Sequence, residues 1–207
     1  MKTNIKQRIG ALATTVAILG VVVSPAIASA ASNTANTTVN VDVGSSISIS
    51  TSGTVSISLT PTSGGVVSSA SDTVTVSTNN TLGYNLKLAD SDATTDLTSG
   101  GNSFTTSANA MTAAAALANN TWGYAVPTAT TGIGTNTFDA SYSAETNATS
   151  SATKWAGVPA SGSGVTIKST ASTASGDTTA VWYAAKANTS QPNGTYTDTV
   201  TYTATTN

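Results

Sequence analysis

"GTYTDTVTYTATTN", Gly194 to Asn207, is the stretch whose reading decides the fold. Every odd position from Thr195 to Thr203 is threonine, while Tyr196, Asp198, Val200, Tyr202 and Ala204 fill the even ones. Side chains on a β-strand point to opposite faces with a period of two, so this segment reads as one strand. Its Tyr/Val face suits a core, and its threonine face suits water. Asp198 alone interrupts the inward set, which predicts a bulge or an inward charge near a sheet edge.

The same pattern recurs upstream. Val39, Val41, Val43, Ile47, Ile49, Val55, Ile57 and Leu59 occupy odd positions between Asn, Asp and Ser. "VGSSI" and "TSGTV" break that run, which predicts two or three strands there. "TVTVST" (Thr73–Thr78) and "LGYNLKL" (Leu82–Leu88) are two more, with a bend or hairpin at "TNNTLG" between them. "TWGYAV" (Thr121–Val126) and "GVTIKST" (Gly164–Thr170) follow. "TTAVWYAAKA" (Thr178–Ala187) is expected to pair with the 194–207 strand as a hairpin through "NTSQPNG". One short helix is expected near 108–118, capped by Ser107 and Ala-rich throughout. The total is about eight to ten short strands at steady spacing. That is the pattern of an all-β, antiparallel sandwich of immunoglobulin-like or jelly-roll-like form.

Residues 1–30 are expected to be a cleaved secretory signal. Lys2, Lys6 and Arg8 precede an apolar run from Ile9 to Val23, and "SPAIASA" places Ala28 and Ala30 at a small-residue cleavage site. The small-residue site interrupts the run before the roughly 20 apolar residues that a spanning helix needs. The mature chain, 31–207, would then be a single domain without a membrane anchor.

Four lysines against nine acids leave that mature chain at −5. This excludes the basic patch that nucleic acid or anionic lipid requires. With no cysteine there is neither a disulfide framework nor a thiolate metal site. The mature chain contains 39 threonines and 27 serines, a richness shared by mucin-like stalks. Stalks lack periodic apolar residues, and threonine is β-branched, so this composition reads as the wet face of folded sheets.

In order, "SDTVTVSTNNTLGYNLKLADSD", "NNTWGYAV", "WAGVPASGSGVTIKST" and "TAVWYAAKANTSQPNGTYTDTVTYTA" are the segments that carry a family resemblance. With these the chain resembles small exported Ser/Thr-rich surface proteins of candidate-phyla-radiation bacteria. The Gly194-Thr-Tyr-Thr segment is also similar to the last strand of WxL-type wall-binding domains. No Trp-x-Leu motif occurs, since the tryptophans stand in Trp122-Gly-Tyr, Trp155-Ala-Gly and Trp182-Tyr-Ala. The resemblance implies an extracellular or cell-surface location and a β fold, and says little about activity.

Chemistry-bearing residues are few. The chain has no histidine, which removes the commonest general base and the usual nucleophilic triads. Ser151-Ala-Thr-Lys154 has the spacing of serine β-lactamase-like enzymes, but their companion motifs are absent. Asp90, Asp92 and Asp96 in "DSDATTD" could supply oxygen ligands to a weak calcium site, although the loop lacks the EF-hand glycine and final acid. The bland reading is a solvated acidic hairpin tip. Trp122, Trp155 and Trp182 suit a core or a sugar-stacking platform, and shared parity with Tyr124 favours core for Trp122. Lys87, Lys168 and Lys186 oppose their strands' apolar neighbours, as solvated or edge lysines do.

These readings converge on a non-enzymatic surface protein with no required cofactor. Its expected partners are itself or other surface proteins, joined by strand addition at the nearly uncharged, proline-free Val39–Leu59 segment. A carbohydrate-binding or adhesin module, recognising cell-wall or host glycans, is the competing expectation.

Overall fold

The computed structural model describes residues 31–127, 145–151 and 153–207. The expected signal peptide lies outside the described residues. The chain divides into a leading unit, Met1–Asp42, and a body, Val43–Asn207. In the leading unit residues 31–42 are exposed and form neither helix nor strand.

The body is all-β. Its strands are β1 (Ile47–Ser50), β2 (Val66–Thr78), β3 (Tyr84–Asp90), β4 (Leu97–Ser99), β5 (Asn102–Thr106), β6 (Thr121–Ala125), β7 (Val165–Ser169), β8 (Ala174–Ala187) and β9 (Val200–Thr206). They form a six-stranded sheet in the order β1-β2-β8-β6-β5-β4 and a three-stranded sheet in the order β7-β3-β9.

The two longest strands make the backbone of the larger sheet. β2 and β8 pair antiparallel from Val66↔Ala187 to Thr78↔Ala174, with an irregularity between Val76 and Thr78. Both strands alternate in burial over their middles, Asp72–Thr78 and Thr179–Tyr183, and are buried on both faces where Val66–Ser69 meets Ala184–Ala187. Val74 and Val76 of β2 and Val181 and Ala185 of β8 point inward and are buried. Tyr84, Leu86 and Leu88 of β3 and Ile167 of β7 meet them from the smaller sheet, also buried. The core is the layer between these faces, the arrangement of a β-sandwich.

Three expectations need correction. The 194–207 segment does not form a hairpin with β8. β9 crosses to the other sheet and pairs with β3 from Tyr84↔Thr206 to Asp90↔Val200. The Asn188–Thr199 connection is long enough to change layers, which a two-residue hairpin turn could not do. The face assignment is unaffected: Val200 and Tyr202 are half-buried, and Thr199 and Thr201 are exposed. The bend after β2 likewise carries the chain between sheets. There Gly83 adopts φ 82°, and a side chain would collide with the Thr170 carbonyl.

The sheet is also not wholly antiparallel, because β5 and β6 pair in parallel. Parallel neighbours need a crossover, and Ser107–Asn120, the segment expected to be helical, supplies it. Only one 3-10 turn, Met111–Ala113, forms there, and it has no side-chain cap. So short an Ala-rich segment is marginal as a helix in isolation. Its backbone bonds across the fold instead: Ala115 and Trp155 exchange N–H···O bonds of 3.2 and 2.8 Å.

Leu86→Ala should destabilise the protein by about 2–5 kcal/mol, because it removes a fully buried side chain and leaves a cavity. Val41→Ala, at an exposed position, should change it by less than about 0.5 kcal/mol. Urea unfolding of the two variants side by side checks the contrast.

Candidate interaction site

The odd feature of the sandwich is one unfinished seam. β9 is the edge of the smaller sheet. Ser91 N–H donates to the Thr199 carbonyl at 2.9 Å, so the antiparallel register turns the backbone groups of Thr199, Thr201, Thr203 and Thr205 toward β3. Those of Val200, Tyr202 and Ala204 point the other way. Among the described residues they have no backbone partner.

Residues 54–59 run along the far bank. Val55, Ile57 and Leu59 are half-buried and pack against the core, while Thr54, Ser56 and Ser58 are exposed. This is the burial pattern of a strand, yet no ladder forms. The segment is tied at its two ends: Ser52 N–H donates to Asp72 Oδ1 at 2.9 Å, and Thr60 N–H to Asn147 Oδ1 at 3.2 Å. Of the expected strands in Val39–Leu59, only β1 pairs. Residues on both banks line one groove of about 1340 Å³.

The floor of the groove is aromatic. Trp122 and Tyr183 stack with ring centroids 6.3 Å apart and an interplanar angle of 27°. Phe104 and Tyr196 meet edge to face at 4.8 Å. The Tyr183 and Tyr202 hydroxyls lie 2.7 Å apart, a hydrogen bond that joins the two sheets. Burial, reinforced by that neighbouring hydroxyl, pushes the Tyr183 pKa far above its ordinary value, so the pair stays neutral. Only Asp72 and Asp198 bring charge to the lining.

The acidic loop does not itself line the groove. Asp90 is buried, and its Oδ1 accepts from Asp92 N–H at 3.0 Å. Asp92 Oδ1 accepts from Thr94 N–H at 2.6 Å, and Asp96 Oδ1 from Thr106 N–H at 3.0 Å. The loop is therefore an internally bonded turn whose tip, Ser91–Thr94, is exposed. Asp96 is drawn toward β5, and Asp198 takes its place beside the other two. Among the described residues no group of three or more acidic side chains is placed to hold a metal ion. Asp198 does project inward. The Oδ2 atoms of Asp90 and Asp198 are both buried and receive no donor.

Other candidates resolve into structural roles. Ser151 donates its hydroxyl to Glu145, as Thr153 does at 2.6 Å, and Lys154 is exposed. Trp122 and Trp155 are buried, whereas Trp182 is half-exposed on the opposite face from Tyr183. Lys87 is exposed, and Lys168 is an edge lysine, on β7, but a paired one. Its ammonium binds Asp177 at 2.6 Å, with only 12% of its side chain exposed. Tyr84 donates to the other oxygen of Asp177 at 2.7 Å, which makes a second tie between the sheets. Burial opposes ionisation of Asp177, but the bonds from Lys168 and Tyr84 outweigh it and lower its pKa. In sequence nothing marks Tyr84, Lys168 and Asp177 as partners, since they belong to three different strands.

Compared with known proteins, the chain matches no family model, no curated protein and no solved structure.

Burial, and then the Asp90 and Asp92 carboxylates, raise the Asp198 pKa from 3.8 to about 6 against the lowering by the Thr199 N–H. An acid whose pKa rises on folding stabilises the fold only while protonated. Its contribution is complete below about 4 and is lost as pH climbs through about 6. The melting temperature of the wild type should carry that downward slope, superposed on other titrations. Asp198→Asn should flatten it and raise the melting temperature at pH 7.5 by on the order of 2–4 °C. An unchanged slope in the variant would exclude strain between the two carboxylates.

Proposed function

We propose that this is a non-enzymatic, secreted structural or interaction protein of a bacterial cell surface that assembles by β-strand addition. The observation that carries this reading is an unpaired strand edge beside an apolar groove. The free backbone groups of Val200, Tyr202 and Ala204 are a template for another strand, because each unmade bond has its partner geometry already set. Natural sheets protect long edges with charge, proline or a covering loop. Along Val200–Thr206 there is neither a charged residue nor a proline. Secretion rests on the signal-like residues 1–30, and the surface location on the resemblance to exported Ser/Thr-rich proteins. The absence of histidine and the engagement of Ser151 by Glu145 support a role without turnover.

Glycan recognition is the competing reading, favoured by the aromatic lining around Tyr196 and by the half-exposed Trp182. Two of the three tryptophans are buried in the core, which leaves a poor stacking platform.

Surface material from a producing cell should contain the protein as ordered multimers under electron microscopy, with a subunit mass matching residues 31–207. Purified protein should show the same multimers by light scattering as its concentration rises. Monomers throughout, with saturable binding to a glycan array that Trp182→Ala abolishes, would replace this reading with the adhesin one.

A further inference from the structure

The groove specifies what it would hold. It is larger than the roughly 300–1,000 Å³ typical of small-ligand pockets, and a length of chain forms each bank. A ligand that satisfies the β9 edge must offer backbone N–H and C=O groups at strand spacing. It must also present apolar side chains at every second position toward the half-buried Ile57, Leu59 and Tyr196 of the lining. Strands advance about 3.3 Å per residue, so three such side chains need only about five residues.

The chain itself contains that ligand. Val39, Val41 and Val43 alternate with Asn40 and Asp42, and the three valines are 79, 80 and 76% exposed. Large apolar side chains so exposed at strand period are an unfilled half of a sheet contact. The charges agree as well. The groove contributes only acids, so an entering strand must keep its own acid out of it. Parity places Asp42 on the face opposite the valines.

We propose that residues 38–44 of a second copy of this chain enter the groove as a strand, pairing with the free edge of β9 and turning Val39, Val41 and Val43 to the apolar lining of the groove. This rests on the strand-addition reading above and names both partners of it. Each copy carries a donor segment and an acceptor groove, two different surfaces, so the contact is head-to-tail. Such contacts generate rings or open filaments instead of stopping at a two-fold dimer.

The native chain has no cysteine, so single cysteines report on one contact each. Asn40→Cys and Asp42→Cys mark the outward face of the donor, and Thr199→Cys and Thr201→Cys mark the exposed face of β9. Neighbouring strands place Cα atoms about 4.5–5.5 Å apart, within disulfide reach. Each donor variant of the mature chain is mixed with each acceptor variant under mild oxidation. At least one mixture should yield a mixed disulfide dimer well in excess of either homodimer. In parallel, Val41→Lys should raise the concentration at half-assembly by about tenfold or more, because it drives an unpaired charge into an apolar seat. The unfolding midpoint of its monomer should equal the wild type's.

Several results would overturn the inference. Protein that assembles with all four mixtures uncrosslinked and Val41→Lys without effect has another interface, although strand addition at large would survive. A double Asn40→Cys/Thr201→Cys chain that closes its own disulfide at high dilution, while the mixtures fail, means that the donor is the chain's own segment. Wild type that remains monomeric at millimolar concentration removes the inference and the proposed function together.

Discussion

The pairing of β2 with β8 is the constraint on which the rest of the structure depends. These two strands run beside each other along nearly their whole length, and the larger sheet grows outward from them, β1 attached to β2 on one side and β6, then β5 and β4, following β8 on the other. Their inward residues, among them Val74, Val76, Val181 and Tyr183, form one wall of the core. Because strand side chains alternate, slipping this ladder by one residue would turn all of those side chains to solvent. The register is thus fixed by burial along a long ladder, without a disulfide.

The smaller sheet is held to that wall at two polar points as well as by apolar packing. At one, Tyr84 and Lys168 converge on Asp177 of β8. At the other, Tyr183 and Tyr202 share a hydrogen bond beside Asp72. Neutral and ionic bonds of this kind contribute on the order of 1 kcal/mol each, but a buried group that loses its partner costs more than that. Their value here is positional. They fix how far apart the sheets stand, and the seam between β9 and residues 54–59 inherits that separation.

Much of the fold was legible because burial leaves a period. The alternations in Thr73–Thr78, Tyr84–Leu88, Thr121–Val126 and Val200–Thr206 each became a strand with the anticipated face inward. Pairing was less legible. β9 was assigned to β8 because they are neighbours in sequence, but its side chains would be equally satisfied against β3, and only tertiary geometry separates the two. Residues 55–59 make the same point in reverse: their apolar alternation records burial on one face and carries no record of whether a backbone partner exists. The acidic loop was partly readable. Asp90 and Asp92 are adjacent by local turn chemistry, while Asp198 joins them through the β3–β9 pairing, a contact between positions more than a hundred residues apart.

That same pairing sets an order of events. β3 sits in the middle of the smaller sheet, and both of its neighbours, β7 and β9, come much later in the chain. Contacts so distant in sequence require closing large loops before any bond rewards the closure, which slows folding. While the chain is being made, Leu86 and Leu88 therefore wait with both strand edges open until residues 200–206 arrive. The threonine-rich, weakly charged flanks keep such a waiting segment wet but do little to repel its like. The most exposed moment in the life of this molecule comes before it is complete, and a chaperone that shields β3 would act at that moment.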